Sequence, residues 1–136
     1  MRLIVNLTQH AATEEQRAAG VCDLPEEFRK ELLRLITFEE IPTPSEMRER
    51  ANSVLALFEG AGEKLTREED EGIAAMIGGA PFFSSALDEA FLRGGVRVLY
   101  AFSKRESIER VLPDGTVRKE SIFRHAGFVD PHDGFV

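Results

Sequence analysis

The chain opens on a short apolar run. Leu3-Ile4-Val5-Asn6-Leu7 is rich in branched residues and follows Arg2, a pattern that predicts a buried strand of the kind found in parallel sheets. The run ends in Thr8-Gln9-His10. Thr13 and Gln16 then stand at capping-box spacing, which predicts a helix starting near Glu14 and stopping at Gly20. A strand, a polar loop and a helix in quick succession make the first half of a βαβ unit. Val21-Cys22-Asp23-Leu24 reads as a short second strand. Pro25 opens a helix, where its missing N–H costs nothing, and Phe28, Leu32, Leu35 and Ile36 fall on one face of it. After a connection from Glu39 to Pro44, Thr43 and Glu46 repeat the capping-box spacing, with Pro44 at the first helical position. Met47, Ala51, Val54, Leu55 and Phe58 continue as an amphipathic stripe, and Gly60 and Gly62 read as its end.

Glu63 to Glu71 is polar and acidic, a solvated helix or a loop with no chemistry assigned to it. Ile73-Ala74-Ala75-Met76-Ile77 is the next buried strand. It runs into Gly78-Gly79 and then a helix with Phe83, Leu87, Ala90 and Phe91 on its apolar face, halted by Gly94-Gly95. Val96 to Phe102 is a further strand, with Tyr100 and Phe102 read as core, ending in a polar tip of Ser103-Lys104-Arg105. Glu106 to Leu112 and Thr116 to Phe123 flank Pro113-Asp114-Gly115 as a hairpin. The pattern predicts an α/β fold: a Rossmann-like three-layer sandwich with a mostly parallel sheet, helices on both faces and a C-terminal β-hairpin. Residues 1–129 form a single domain in this reading and 130–136 a flexible tail.

Composition narrows the class. With 43% hydrophobic and 30% charged residues in 136, one globular domain is expected rather than a disordered chain. A single cysteine, Cys22, excludes a disulfide framework and a cysteine-built zinc site. No His/Asp/Glu grouping has metal-ligand spacing, so neither metal nor cofactor is expected. The amino end does not read as a signal peptide and no apolar run is long enough to span a bilayer, which points to a cytoplasmic protein away from membranes. The net charge of −7 argues against bulk binding to duplex DNA. Its distribution is uneven: residues 1–96 carry 10 Lys and Arg against 18 Asp and Glu, whereas residues 97–125 carry 7 against 4. An acidic body with a local basic segment suits a small anionic ligand, although Lys104, Arg105, Arg118, Lys119 and Arg124 are equally read as solvated strand positions.

In open α/β sheets, ligands lie outside the carboxyl ends of the strands. That rule is expected to gather Thr8-Gln9-His10, Gly78-Gly79 with Ser84-Ser85, and Ser103-Lys104-Arg105 into one positively biased hollow. Glycines let a ligand approach the backbone, and a helix amino end offers N–H groups to an anion; a plain strand-to-helix turn needs the same residues. His10 is placed to donate to a phosphate or move a proton, against the reading of a loop histidine with no task. Lys104 and Arg105 are the candidates to grip phosphate, and Phe82 to stack on a base. Ser84 and Ser85 lack the nucleophile-elbow pattern, so a serine hydrolase is unsupported.

Two stretches carry a family resemblance. Leu3-Ile4-Val5-Asn6-Leu7-Thr8-Gln9-His10 with Thr13-Glu14-Glu15-Gln16, and Val98-Leu99-Tyr100-Ala101-Phe102-Ser103-Lys104-Arg105-Glu106-Ser107 with Asp114-Gly115 and Ser121-Ile122-Phe123-Arg124-His125, resemble the two ends of small single-domain CARF-like CRISPR-associated proteins. They cover about half of the chain, and the middle helices match only in pattern. The resemblance implies a Rossmann-like homodimer that binds cyclic oligoadenylate, the messenger of type III CRISPR systems. Its ring-nuclease members cleave that messenger without a metal, by attack of a ribose 2′-hydroxyl on the adjacent phosphate. By position, Thr8, Gln9, His10, Gly78, Gly79, Ser103 and Lys104 fall in the corresponding loops. In the enzymatic reading His10, Lys104 and Arg105 are the catalytic residues, and Thr8, Gln9, Gly78, Gly79, Phe82, Ser84 and Ser103 bind the ligand. A sensor or sequestering module without cleavage, and a small interaction protein with no nucleotide ligand, are the alternatives.

Overall fold

A computed structural model describes residues 2–66 and 72–135. The elements run β1 Leu3–Asn6, α1 Glu14–Ala18, β2 Val21–Asp23, α2 Glu26–Ile36, α3 Pro44–Leu65, β3 Ile73–Met76, α4 Pro81–Arg93, β4 Arg97–Val111, β5 Val117–Asp130 and β6 Gly134–Phe135. They build one six-stranded sheet in the order β2-β1-β3-β4-β5-β6. The β1–β2, β1–β3 and β3–β4 pairings are parallel; β4–β5 and β5–β6 are antiparallel. The fold is therefore mixed α/β, with helical crossovers making the parallel half and a hairpin extending it. Residues 67–71, the greater part of the acidic stretch after Glu63, lie outside the described residues.

Side-chain alternation along the strands splits the core in two. Val5, Leu7, Ala75, Ile77 and Val98 pack with Leu32 and Leu35 of α2, Val54 and Phe58 of α3, and Phe83, Leu87 and Phe91 of α4. Ile4, Val21, Ala74, Met76 and Leu99 point the other way and pack with Ala12 and Phe128. The three long helices thus share one face. Helical cover on both faces was the expectation; much of the second face is instead closed by Ala12, ahead of α1, and by Phe128 of β5.

The caps fall where the spacing puts them. The Gln16 amide donates to the Thr13 hydroxyl at 3.1 Å, and the Thr13 amide donates back to the Gln16 side chain at 3.1 Å. Thr43 accepts from the Glu46 amide at 3.1 Å, with Pro44 opening α3. Gly60 and Gly62, however, do not end that helix, which runs on to Leu65. A Cβ on Gly62 would stand 3.0 Å from Ile73 Cδ1, and Ala61 is fully buried. Absence of a side chain lets α3 press against the start of β3, and that packing outweighs the helix penalty of about 1 kcal/mol for a glycine.

The hairpin is the largest departure from expectation. β4 does not stop at Phe102; it continues to Val111, so the two predicted segments are one strand. The register jumps from Phe102↔Gly127 to Ser103↔His125, leaving Ala126 as the extra residue of a bulge. Phe102, read as core, is 51% exposed. The turn closes at Leu112, whose amide donates to the Thr116 carbonyl at 2.8 Å, with Asp114 accepting from the Thr116 amide at 3.0 Å. The tail expected from residue 130 begins inside β5. Asp130 is buried, pairs with Arg97 at 2.7 Å and accepts from the His132 amide at 2.9 Å. Beyond it, β6 pairs back on β5.

Candidate functional site

Strand order reverses direction between β1 and β3. From β1 the chain crosses to β2 on one side, and it later enters β3 on the other side of β1. The carboxyl ends of strands flanking such a reversal leave a crevice. The two tips there do meet: a Cβ on Gly78 would lie 3.6 Å from the Thr8 methyl, an ordinary van der Waals contact.

A satisfied polar network holds the β1 tip. Asn6 is fully buried. Its Nδ2 donates to the His10 carbonyl at 2.8 Å and to Asp23 Oδ1 at 2.7 Å. Its Oδ1 accepts from the Thr8 amide at 2.9 Å and the Thr8 hydroxyl at 2.7 Å. All four hydrogen-bonding positions of the side chain are thus used, which fixes the loop 8–10 against the end of β2. The Ala12 amide adds a bond to Asp23 Oδ1 at 3.0 Å, and Arg17 pairs with Asp23 at 3.3 Å. Burial pushes the Asp23 pKa up. Bonds from Asn6, the Ala12 amide and Arg17, with the nearby charge of Arg29, outweigh it and hold the carboxyl below its ordinary value.

Arg29 reaches the same loop from α2 and donates from Nη2 to the Gln9 carbonyl at 3.1 Å. Its Nη1 is buried with no hydrogen-bond partner among the described residues. Two guanidinium groups against one carboxylate leave this end of β1 positively biased within an otherwise acidic body. Across the crevice Gly79 adopts φ +100°, a conformation that suits glycine, and α4 follows at Pro81. Its N-cap, Ala80, has no capping side chain, and its carbonyl takes the Phe83 and Ser84 amides. The Phe82 amide is left without an acceptor among the described residues. A cation, a free amide and a helix amino end can together hold an anion.

Of the candidate residues, Thr8 therefore stands against Gly78, with Gln9 and His10 following it in the same loop and Phe82 and Ser84 in the first turn of α4. Gln9 and His10 are exposed, Thr8 and Ser84 half-buried. The Phe82 ring meets Phe38 edge-on at 5.4 Å. Ser103, Lys104 and Arg105 do not form a loop. They lie within β4, paired with His125, Arg124 and Phe123. His125 to Phe128 line a cavity of about 410 Å³ with Arg2, Ile4 and Ala19, toward the amino end of β1. The third of the three expected tips is thus a stretch of strand and not a loop. The physical reason is that β4 finds a partner in β5 and keeps extending instead of turning. Sequence reasoning missed Asn6, Asp23 and Arg29. The signal for Asn6 was present as a polar residue inside a buried strand. Arg29 carried none, since its position reads as an ordinary helix surface.

A family model described as "Uncharacterized protein MJ1673 family" matches residues 2–129. No curated protein and no solved structure matches the chain.

Proposed function

The chain belongs to the Uncharacterized protein MJ1673 family, and we propose from its own geometry that it binds a phosphate-bearing nucleotide in the crevice between the β1 and β3 tips. The carrying observation is the junction of Thr8 with Gly78 at the strand reversal, flanked by Arg29 and the amino end of α4. The resemblance at the two ends of the chain supplies the ligand class. In this proposal the protein is a Rossmann-like, CARF-like cytoplasmic homodimer, and the nucleotide is a cyclic oligoadenylate. Arg29, the Gly78–Gly79 backbone and the Phe82 amide hold a phosphate.

The proposed reaction is slow ring opening. A ribose 2′-oxygen attacks the adjacent phosphorus and the bond to the 5′-oxygen breaks. A 2′,3′-cyclic phosphate forms, and the proton lost by the 2′-hydroxyl is replaced on the leaving 5′-oxygen. His10 is the exposed group at the tip that can move that proton. Holding the 2′-oxygen in line is the main contribution asked of the protein. One observation favours a second reading, binding without cleavage: two of the three catalytic candidates, Lys104 and Arg105, are held in the paired hairpin and not in a tip loop.

The test is incubation with cyclic oligoadenylates of several ring sizes, with and without a chelator, followed by chromatography and calorimetry. Linear products unaffected by chelator, lost in His10→Ala with binding retained, support ring opening. Intact ligand with measurable heat supports the sensor. No heat with any ring overturns both and leaves an interaction protein. Arg29→Ala is expected to weaken binding by about 1–3 kcal/mol, the range for a charged hydrogen bond.

A further inference from the structure

Between Ala101 and Arg124 no residue of the hairpin is buried, on either face. Ala101–Val111 alone spans about 37 Å at a strand's usual rise. An isolated two-stranded ribbon is marginal in water at best, so this one calls for cover. The register puts Phe102, Lys104, Glu106, Ile108 and Arg110 on one face with Arg118, Glu120, Ile122 and Arg124. That face carries apolar groups among four cations and two carboxylates, and both carboxylates are paired, Glu120 with Arg110 and Glu106 with Arg124. Lys104 and Arg118 form no ion pair among the described residues.

A surface of matching character lies elsewhere on the molecule. The turn between α2 and α3 and the first turn of α4 enclose a groove of about 600 Å³ lined by Phe38, Glu39, Glu40, Ile41, Met47 and Phe82. Ile41 is 97% exposed and Phe82 48%. Glu39 and Glu40 form no ion pair among the described residues. The groove is apolar with an acidic rim, and the arm is apolar with a basic flank. The root of the arm packs on the face of the sheet away from α2, α3 and α4, so its own groove lies across the sheet from it.

We infer that the hairpin arm of one copy docks in the Phe38–Ile41–Phe82 groove of a second copy, and the second copy's arm docks reciprocally in the first. Charge decides against the alternative of two arms pairing with each other, because residues 101–124 carry six Lys and Arg against four Asp and Glu, and two such ribbons repel. A two-fold arrangement makes the contact twice and closes on itself. The inference rests on the homodimer of the proposed function and not on its ligand. A chain that binds the nucleotide as a monomer overturns the docking and leaves the ligand reading standing.

The test is a charge swap read by light scattering and sedimentation at micromolar concentration, with circular dichroism as the check on folding. Lys104→Glu with Arg118→Glu makes an acidic arm; Glu39→Lys with Glu40→Lys makes a basic groove. All four positions are exposed, so both variants are expected to fold. Each variant alone is expected to lose dimer affinity by about 100-fold or more, since like charges then face each other in both contacts. Mixed one to one, the acidic arm meets the basic groove and the native arm meets the native groove, and the dimer returns. A monomeric wild type, variants that dimerise unchanged, or a mixture that stays monomeric overturns the proposal.

Discussion

Strand β4 passes through two environments. From Arg97 to Leu99 it pairs in parallel with β3, with Val98 buried toward the helices and Leu99 toward Phe128; at Tyr100 the pairing passes to β5. From Ala101 to Val111 it has β5 on one edge, and none of its residues is buried. Each half is paired along one edge, in parallel with β3 and then antiparallel with β5, so the presence of a ladder does not by itself distinguish them. What differs is cover. Both halves are laddered, but only the first places buried apolar side chains in the core, and apolar burial dominates folding stability. The sharpest break of this comparison is one aromatic truncation in each region. Phe91 is fully buried and packs on Phe58 at a ring distance of 5.5 Å. Phe91→Ala is expected to cost about 3–5 kcal/mol in urea unfolding, the transfer loss plus the cavity left behind. A loss below 1 kcal/mol would mean that the helix layer is not what holds the sheet.

The second expected effect belongs to the polar network at the β1 tip. Asn6→Ala leaves the Thr8 amide, the His10 carbonyl and Asp23 each short of a partner. The expected cost is about 1–3 kcal/mol, with weakened nucleotide binding because loop 8–10 loses its anchor. Comparing its stability loss with its affinity loss separates an anchor from a ligand contact. Unchanged affinity in the folded variant removes this loop from the site.

These two regions also mark how far the sequence is legible. The body was readable because its signals are local. Thr13 and Thr43 sit at cap spacing, Phe28 to Ile36 repeats at helical intervals, and Gly78-Gly79 and Gly94-Gly95 punctuate β3 and α4 where the structure turns. Gly60 and Gly62 misled, because a glycine that allows close packing and one that ends a helix look alike without knowledge of Ile73. The hairpin misled for a different reason. Ser103-Lys104-Arg105 is polar, and a polar run reads as a loop; a strand exposed on both faces has no apolar alternation to betray it. Lys104 and Arg105 are therefore strand residues and not loop residues. Asn6, Asp23 and Arg29, drawn from three elements, meet only through the parallel register of β1 with β2. No spacing along the chain encodes that meeting.

Acid is expected to act on the body through both of its anchored carboxylates. Burial pushes the Asp130 pKa up; bonds from the His132 amide and Arg97, and the charge of Arg97, more than reverse this, so it too lies below its usual 3.8. A carboxyl whose folded pKa is depressed contributes stability that is fully present above its unfolded value. That stability is lost as pH falls through the folded one. Asp23 and Asp130 therefore contribute their full stabilisation at neutral pH, and that contribution is lost as pH drops below about 4. Asp130→Asn is expected to flatten the pH dependence of urea stability in that window while lowering stability at pH 7. Equal acid slopes for variant and wild type would show that the Arg97 pair is not carrying it.

The smallest expected effect sharpens the comparison most. Phe123 has the same side chain as Phe91, yet it is 66% exposed and touches the Arg105 guanidinium at 5.6 Å from the ring centre. An exposed cation–ring contact contributes about 0.5–1 kcal/mol, and within a ribbon that frays by itself even that is diluted, because the ribbon opens without opening the core. Phe123→Ala is therefore expected to shift global unfolding by less than about 0.5 kcal/mol. Amide exchange across 104–123 in the dilute monomer is expected to be fast in both proteins, while the amides of β1 and β3 stay protected. If Phe123→Ala instead lowered global stability as far as Phe91→Ala, arm and body would form one cooperative unit, and the distinction drawn along β4 would fail.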